Sequence, residues 1–140
     1  MKKIAVVYWS GTGNTEAMAN AIAAGAQEAG ALAELFTPAS FNASMIGGYD
    51  ALAFGCSAQG AETLEEYEFQ PMWETCEGAL SNKPVALFGS YDWGDGEWLR
   101  TWAANSEAAG VNLVDTLKVN NTPDDEGVAL CKALGAKLAQ

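Results

Sequence analysis

The chain has 140 residues, with 18 acidic and 7 basic side chains and a formal net charge of −11. This length suits one domain, which we expect to cover residues 1–140. The negative charge argues against nucleic acid and anionic membranes as partners, and no segment resembles a spanning helix or a secretory leader. The absence of histidine excludes imidazole chemistry. Three widely spaced cysteines suit a reducing cytoplasm, and we expect a cytoplasmic protein without a structural metal site.

Five short apolar runs alternate with longer amphipathic stretches, and the first run is continuous, which is typical of a parallel strand buried on both faces. Strands are predicted over residues 4–8, 31–36, 51–56, 84–88 and 111–119. Helices are predicted over 15–29, 71–80, 97–109 and after an N-cap at Asp124, with Gly30 and Gly110 ending two of them. The alternation predicts an α/β fold, a doubly wound parallel sheet with helices on both faces. Ligands of such sheets bind beyond the carboxyl ends of the strands.

A polar segment with two glycines follows the first strand and reads Ser10-Gly11-Thr12-Gly13-Asn14-Thr15. Glycines let backbone N–H groups converge on an anion, and a helix N-terminus adds positive partial charge. The segment lacks the lysine of a Walker A loop, and Glu16 stands where a dinucleotide fingerprint needs its third glycine. We therefore predict that a phosphate is held here and not transferred. The alternative is an ordinary capped turn between a strand and a helix.

Two further loops carry candidate ligand contacts. After the fourth strand, Gly89-Ser90-Tyr91-Asp92-Trp93-Gly94-Asp95-Gly96 is predicted to be irregular. Trp93 in this loop either stacks on a flat aromatic cofactor or forms a surface contact for a partner. After the third strand, Ser57-Ala58-Gln59-Gly60-Ala61-Glu62 combines a glycine whose peptide can reorient with a carboxylate that is either solvated or bonded to a ring N–H. Trp98 and Trp102, four residues apart, are predicted to pack inside the protein.

These motifs resemble those of short-chain, clostridial-type flavodoxins. The resemblance rests on residues 8–16, 55–58 and 88–98 and extends over essentially the whole chain. It implies a flavodoxin-like strand order of 2-1-3-4-5 and one non-covalently bound FMN as the single prosthetic group. The sequence departs from the family pattern at Gln59, where methionine is common, and at Asp92, where glycine is common.

The resemblance also implies which loop contacts each part of FMN. The phosphate would lie on Ser10, Thr12, Asn14, Thr15 and Ser57. The ribityl chain would contact Ser90 and Asn121. Trp93 would stack on the ring, Glu62 would accept from the ring N3–H, and the Gly60 carbonyl would accept from N5–H after one electron arrives. The other predicted cofactor contacts are Gly11, Gly13, Ala58, Gln59, Ala61, Tyr91, Asp92 and Gly94.

Nine carboxylates lie between residues 57 and 97, where Lys83 is the one opposing cation: Glu62, Glu65, Glu66, Glu68, Glu74, Glu77, Asp92, Asp95 and Glu97. Repulsion between like charges disfavours the anionic, fully reduced flavin. We therefore predict a low-potential one-electron carrier, not an enzyme, that shuttles between semiquinone and hydroquinone. The same charge would steer transient redox partners with basic faces to a monomeric carrier. The alternative explanation of the charge is solubility alone.

Two other functions are compatible with an open α/β sheet. An FMN-dependent NAD(P)H:quinone or nitro reductase would need room for a substrate above the ring, and the chain has no insertion to build such a pocket. A phospho-acceptor receiver domain would need acidic residues after the first strand, an aspartate after the third and a lysine after the fourth. The residues at those places are Ser10-Gly11, Cys56-Ser57 and Gly89-Ser90.

Overall fold

Five strands form one parallel sheet in the computed structural model, which describes residues 1–11, 13–58, 64–92 and 94–140. The strands are β1 (Lys3–Trp9), β2 (Leu32–Phe36), β3 (Ala51–Cys56), β4 (Val85–Tyr91) and β5 (Leu113–Asn120). Their order is β2-β1-β3-β4-β5, and every neighbouring pair is parallel. The predicted fold class and strand order are confirmed.

Helices connect the strands as the alternating pattern requires. They are α1 (Asn14–Glu28), α2 (Phe69–Cys76), α3 (Glu97–Ala108) and α4 (Asp125–Leu138), with 3₁₀ turns at Pro38–Ser40, Ala43–Gly48 and Glu77–Ala79. Gly30 and Gly110 follow α1 and α3 with φ of +95° and +91°, a conformation that favours glycine and ends a helix. The Asp124 carboxylate accepts a hydrogen bond from the Gly127 N–H at 2.8 Å, so the predicted N-cap of α4 is confirmed.

Each face of the sheet carries its own hydrophobic cluster. On one face, residues of the sheet such as Val6 and Phe88 pack against Ile22 of α1 and Leu134 of α4. The cluster on the other face includes the following buried aromatic residues of β3, α2 and α3: Phe54, Phe69, Trp73, Trp98 and Trp102. Trp98 and Trp102 are 1% and 3% exposed, so the prediction that they pack in the core is confirmed. Because both faces of the sheet are covered, a ligand can approach the sheet where the loops converge, at the carboxyl ends of the strands.

The fourth strand is longer than predicted. The sequence prediction ended it at Phe88 and placed residues 89–91 in an irregular loop, which is wrong because Gly89, Ser90 and Tyr91 pair with residues 118–120 of β5. A Cβ atom at Gly89 would lie 2.3 Å from the Cys56 carbonyl oxygen and 2.9 Å from the Trp98 ring. The glycine therefore permits a close approach of two strands and a ring. The longer strand carries the Ser90 side chain into a position that is 3% exposed.

The second helix also differs from its prediction. It begins at Phe69, two residues earlier than expected, and ends at Cys76, after which a 3₁₀ turn continues to Ala79. Pro71 is accommodated in the first turn, where its missing N–H costs no intrahelical hydrogen bond. Residues that cap this helix therefore lie in the acidic segment before it.

Candidate functional site

The start of α1, the loop after β3 and the end of β4 meet at the Thr15 side chain. This hydroxyl is completely buried, lies 2.6 Å from the Ser57 hydroxyl and accepts a hydrogen bond from the Ser90 N–H at 3.2 Å. The Ala58 N–H donates to the Ser90 carbonyl at 3.2 Å and joins the loop after β3 to the end of β4. The structure thus brings together Thr15 and Ser57, which are predicted to hold the phosphate, and Ser90, which is predicted to contact the ribityl chain.

The first turn of the predicted phosphate loop is also preformed. The Ser10 hydroxyl accepts a hydrogen bond from the Gly13 N–H at 3.0 Å. Gly13 is the N-cap of α1 and has a φ of +94°, which favours glycine. Because glycine has no side chain, it leaves the first N–H groups of α1 without a side-chain cap. These groups lie next to the hydroxyls of Ser10 and Thr15 in sequence and can bond to an anion.

The turn after β5 closes the other side of the site. The Ser90 hydroxyl donates to the Asn121 carbonyl at 2.6 Å, and the Asn121 N–H donates to the Tyr91 carbonyl at 2.7 Å. The Thr122 hydroxyl donates to the Asn14 side-chain carbonyl at 2.8 Å, across 108 positions of sequence. The structure therefore brings Ser90, Asn121 and Asn14 to one edge of the sheet. Thr122 is a site residue that the sequence prediction missed, because its partner is distant and no local motif marks it.

One of the nine carboxylates of the acidic segment serves the fold. The Glu65 side chain is 7% exposed and accepts hydrogen bonds from the N–H groups of Tyr67, Glu68 and Phe69 at 2.9, 2.7 and 2.8 Å. Burial opposes ionisation of Glu65, but the three donors outweigh it and hold the pKa of this carboxyl below its ordinary value. The prediction that Glu65 belongs to the surface field near the cofactor therefore needs correction: its charge is partly compensated, and it caps the start of α2.

The Cys56 thiol ties the same segment back to β3. Its sulfur accepts a hydrogen bond from the Glu65 N–H at 3.4 Å, and the Cys56 carbonyl accepts one from the Trp98 indole N–H at 3.0 Å. Burial raises the pKa of Cys56 to about 12, so the thiol stays protonated at neutral pH. In the segment between β3 and α2, Ser57 is thus held by Thr15 of α1, and Glu65 is held by Cys56 of β3 and by the start of α2.

The loop after β4 has two cationic neighbours that a count over residues 57–97 does not include. Asp95 forms an ion pair with Arg100 at 3.0 Å, and its carbonyl accepts a hydrogen bond from Lys118 at 2.9 Å. The Arg100 guanidinium holds the pKa of the Asp95 carboxyl below its ordinary value. The prediction that Lys83 alone opposes the acidic residues of this segment is thus wrong. It considered neighbours in sequence, whereas these cations come from α3 and β5.

Several predicted contacts lie outside the described residues: Thr12, Gln59, Gly60, Ala61, Glu62 and Trp93. Gly11, Asp92 and Gly94 are described and exposed, and Ala58 and Tyr91 are half-buried. A Cβ atom at Gly11 would lie 3.0 Å from the Trp9 ring, so this ring packs closely against the phosphate loop. Trp9 is a second residue near the site that the sequence prediction did not single out.

The cradle formed by Ser10, Gly13, Asn14, Thr15 and Ser57 is polar and free of positive charge. Six of the seven lysine and arginine side chains bond to residues outside the cradle. Two of them share Asp95, and the other four bond to Glu34, Tyr49, Glu28 and Asp115. In the described part of the chain, no lysine or arginine forms a hydrogen bond with the cradle. Hydroxyls, an amide and the backbone N–H groups at the start of α1 fit the phosphate monoester of FMN, which such groups can hold without a cation.

The described residues form neither a metal site nor a membrane span. Among the residues that the structure describes, no group of three or more cysteine, aspartate and glutamate side chains could hold a metal ion. No described helix combines the length and the apolarity needed to cross a membrane. The polar cradle at the sheet edge is therefore the candidate site that the geometry supports.

Comparisons with known proteins identify the family of the chain. The sequence profile of the flavodoxin family matches residues 6–135. The flavodoxin of Megasphaera elsdenii is 41% identical to the chain, and the alignment covers 98% of each sequence. The flavodoxin of Clostridium beijerinckii is 45% identical, and the alignment covers 96% of this chain and 97% of that one. The solution structure of the two-electron reduced Megasphaera elsdenii flavodoxin superimposes with a TM-score of 0.89, at 41% identity, over 97% of this chain and 98% of that one. The resemblance inferred from the motifs is confirmed, and the chain belongs to the flavodoxin family of FMN-binding electron carriers.

Proposed function

We propose that this flavodoxin is a monomeric, single-domain carrier of the cytoplasm. It holds its FMN through the cradle around Thr15 and works at low potential between the one-electron-reduced and the fully reduced cofactor. When bound, FMN supplies the redox chemistry by taking up and releasing electrons one at a time. The single observation that supports the binding mode best is the buried Thr15 hydroxyl, which joins Ser57 and Ser90 at the carboxyl ends of three strands. The comparisons do not favour the reductase alternative.

The described contacts refine how each residue would serve the cofactor. Ser10, Asn14, Thr15 and Ser57 would hold the phosphate, together with Thr12. The Ser90 hydroxyl already donates its hydrogen to the Asn121 carbonyl at 2.6 Å. Ser90 therefore offers a ribityl hydroxyl an acceptor and no donor. This bond also fixes the turn after β5, so that Asn121 reaches the ribityl chain from a defined position.

Negative charge is the basis of the proposed low potential. Among the described carboxylates of residues 57–97, Glu66, Glu68, Glu74, Asp92 and Glu97 are exposed. Glu65 and Asp95 are bonded to backbone donors or to cations, so they contribute less to the field than a simple count implies. The remaining carboxylates repel a second negative charge on the ring and favour its release. Stacking of Trp93 would add to this effect by favouring the electron-poor oxidised ring.

The same surface suits a transient contact with a basic protein. Tyr67 is 83% exposed and stands between Glu66 and Glu68 in the turn before α2. An exposed tyrosine flanked by carboxylates can contribute contact area, while the charges steer a basic partner toward it. We therefore expect small, short-lived complexes with basic-faced redox proteins.

Stepwise reduction of the FMN-loaded protein without oxygen tests this function. We expect a distinct spectrum after one electron equivalent, different from both end states and from their average, because the two electrons are added at separate potentials. A spectrum that is the simple average at this point would contradict a one-electron carrier. NADPH alone should leave the oxidised spectrum unchanged, and its consumption by the pure protein would favour the reductase.

A further inference from the structure

The carbonyl oxygen of Asp95 accepts hydrogen bonds from two cations on different elements. The Arg100 guanidinium of α3 donates to this oxygen at 3.0 Å and also to the Asp95 carboxylate at 3.0 Å. The Lys118 ammonium of β5 donates to the same carbonyl at 2.9 Å. A backbone carbonyl held by two charged donors is bound more strongly than one held by neutral donors. The loop after β4 is thus attached to both α3 and β5.

The Lys118 side chain crosses from the edge strand to reach the loop. A Cβ atom at Gly96 would lie 2.6 Å from its Nζ and 2.7 Å from its Cδ, so the lysine lies directly over this glycine. Gly96 has a φ of +91° and is the N-cap of α3. The Lys118 ammonium is 6.0 Å from the centre of the Tyr91 ring, which allows a weak cation–π contact. Any larger residue at position 96 would displace the lysine.

Stability does not account for this arrangement. The Arg100 and Asp95 side chains are 57% and 76% exposed, and exposed ion pairs contribute little to the free energy of unfolding. The two cations hold the backbone at Asp95. This residue comes two positions after Trp93, in the loop that would contact the flavin ring. A loop that is held in its binding conformation before the ligand arrives loses less entropy on binding.

We propose that Lys118 and Arg100 are positioning residues that hold the loop after β4 through the Asp95 carbonyl and prepare it to bind the isoalloxazine ring. This inference rests on the proposed function, because it assumes that the ring contacts this loop. The cations act through the backbone and do not touch the phosphate cradle. Their removal should therefore weaken the binding of FMN and of riboflavin, which lacks the phosphate, by the same factor.

Flavin titrations of the apoprotein test the proposal. Lys118→Met removes the donor and keeps most of the side chain, and Arg100→Met does the same on α3. Lys118→Arg keeps a cationic donor. Lys132→Met is the matched control, because Lys132 pairs with Glu28 at 3.2 Å and its loss changes the net charge equally. Dissociation constants for FMN and riboflavin, and urea midpoints of each apoprotein, are measured at one ionic strength.

We expect Lys118→Met to raise both dissociation constants about fivefold, which is ~1 kcal/mol at 1.4 kcal/mol per tenfold change. Arg100→Met should act in the same direction, Lys118→Arg should recover most of the loss, and Lys132→Met should match the wild type. The urea midpoints should stay within error. Unchanged constants in both methionine variants, a loss for FMN alone, or an equal loss in Lys132→Met would overturn the proposal. Failure of the wild type to bind either flavin would instead overturn the proposed function and this inference with it.

Discussion

The phosphate side and the ring side of the site are held together by different kinds of bond. On the phosphate side, Thr15 and Ser90 are buried and joined to their neighbours by neutral hydroxyl and amide hydrogen bonds. The ring side comprises the loops after β3 and β4, and there Glu65 and Asp95 are joined to backbone donors and cations by charged bonds. Charged bonds respond to pH and salt, whereas neutral ones do not. The comparison predicts that pH and salt change the contacts within the ring side and leave the neutral contacts within the phosphate side unaffected.

The largest expected effect comes from breaking the phosphate side at its centre. Thr15→Val keeps the shape of the side chain but removes the hydroxyl bonded to Ser57 and Ser90. We expect FMN to bind about 100-fold more weakly, since the variant cannot form the proposed hydrogen bond from Thr15 to the charged phosphate, a kind of bond that contributes about 1.5–3 kcal/mol. Fluorescence titration of the apoprotein with FMN measures this change.

Thr75→Val is the matched control for that experiment. The Thr75 hydroxyl donates to the Met72 carbonyl at 2.7 Å within α2, away from the cradle. We expect this variant to bind FMN like the wild type. Equal losses in the two variants, or no loss in Thr15→Val, would contradict the role of Thr15 in holding the phosphate.

The next effect concerns the charged anchor of the ring side. Glu65→Gln removes the charge that three backbone N–H groups of residues 67–69 share. We expect the free energy of unfolding at pH 7 to fall by about 1.5–3 kcal/mol, the range for hydrogen bonds to a charged group. Urea denaturation of the wild type and the variant measures the difference.

The pH dependence of this difference follows from the lowered pKa of Glu65. A carboxyl whose folded-state pKa is lowered stabilises the fold fully above its ordinary pKa of 4.5 and loses that contribution as the pH falls through the folded-state value. The gap between wild type and Glu65→Gln should therefore be constant near neutral pH and narrow below 4.5. If the difference in unfolding free energy between wild type and Glu65→Gln increases as the pH falls, the capping role of Glu65 is contradicted.

A smaller effect is expected from the ring contact itself. Trp93→Ala removes the predicted stacking partner and should weaken FMN binding about tenfold, because aromatic contacts contribute about 0.5–1.5 kcal/mol beyond the area they bury. It should also raise the potential of the second electron, since stacking favours the oxidised ring. Potentiometry combined with FMN titration measures both changes. Unchanged values would show that the stacking role is wrongly assigned.

The smallest and most condition-dependent effect is that of salt on electron delivery. Screening shortens the range of surface charges from about 10 Å at 0.1 M to about 3 Å at 1 M ionic strength. The rate of electron transfer to a lysine-rich c-type cytochrome should therefore fall several-fold as sodium chloride is added. The rate to a small neutral quinone serves as the control and should stay constant. If the rate of electron transfer to the cytochrome does not change with salt, the proposal that surface charge steers the partner is contradicted.

The sequence predicted the parts of this molecule that depend on local pattern. The third strand forms over Ala51–Cys56 as expected, because a continuous apolar run between polar segments has one stable place in a parallel sheet. The Ser10–Thr15 segment could be assigned from its glycines and hydroxyls. The length of β4 could not be predicted, because Gly89 looks like a turn residue in the sequence. In the structure, a glycine is required there by the close approach of Cys56 and Trp98.

The sequence alone could not reveal roles that depend on partners distant along the chain. Thr122 bonds to Asn14 across 108 positions, and Lys118 reaches Asp95 across 23. Glu65 had a weak local signal, since a carboxylate a few residues before a helix is a candidate cap, but its position within an acidic run concealed it. Local pattern thus identified the loops of the site, while tertiary contacts determined which side chains hold them.

Uptake of FMN by the purified apoprotein tests the central claim most directly. The account predicts that the colourless chain binds one FMN per molecule and binds riboflavin much more weakly. The difference in affinity should arise from the phosphate on the neutral cradle of Ser10, Thr15 and Ser57, and Thr15→Val should reduce it. A chain that takes up no FMN, or that binds FMN and riboflavin with equal affinity, would contradict the account.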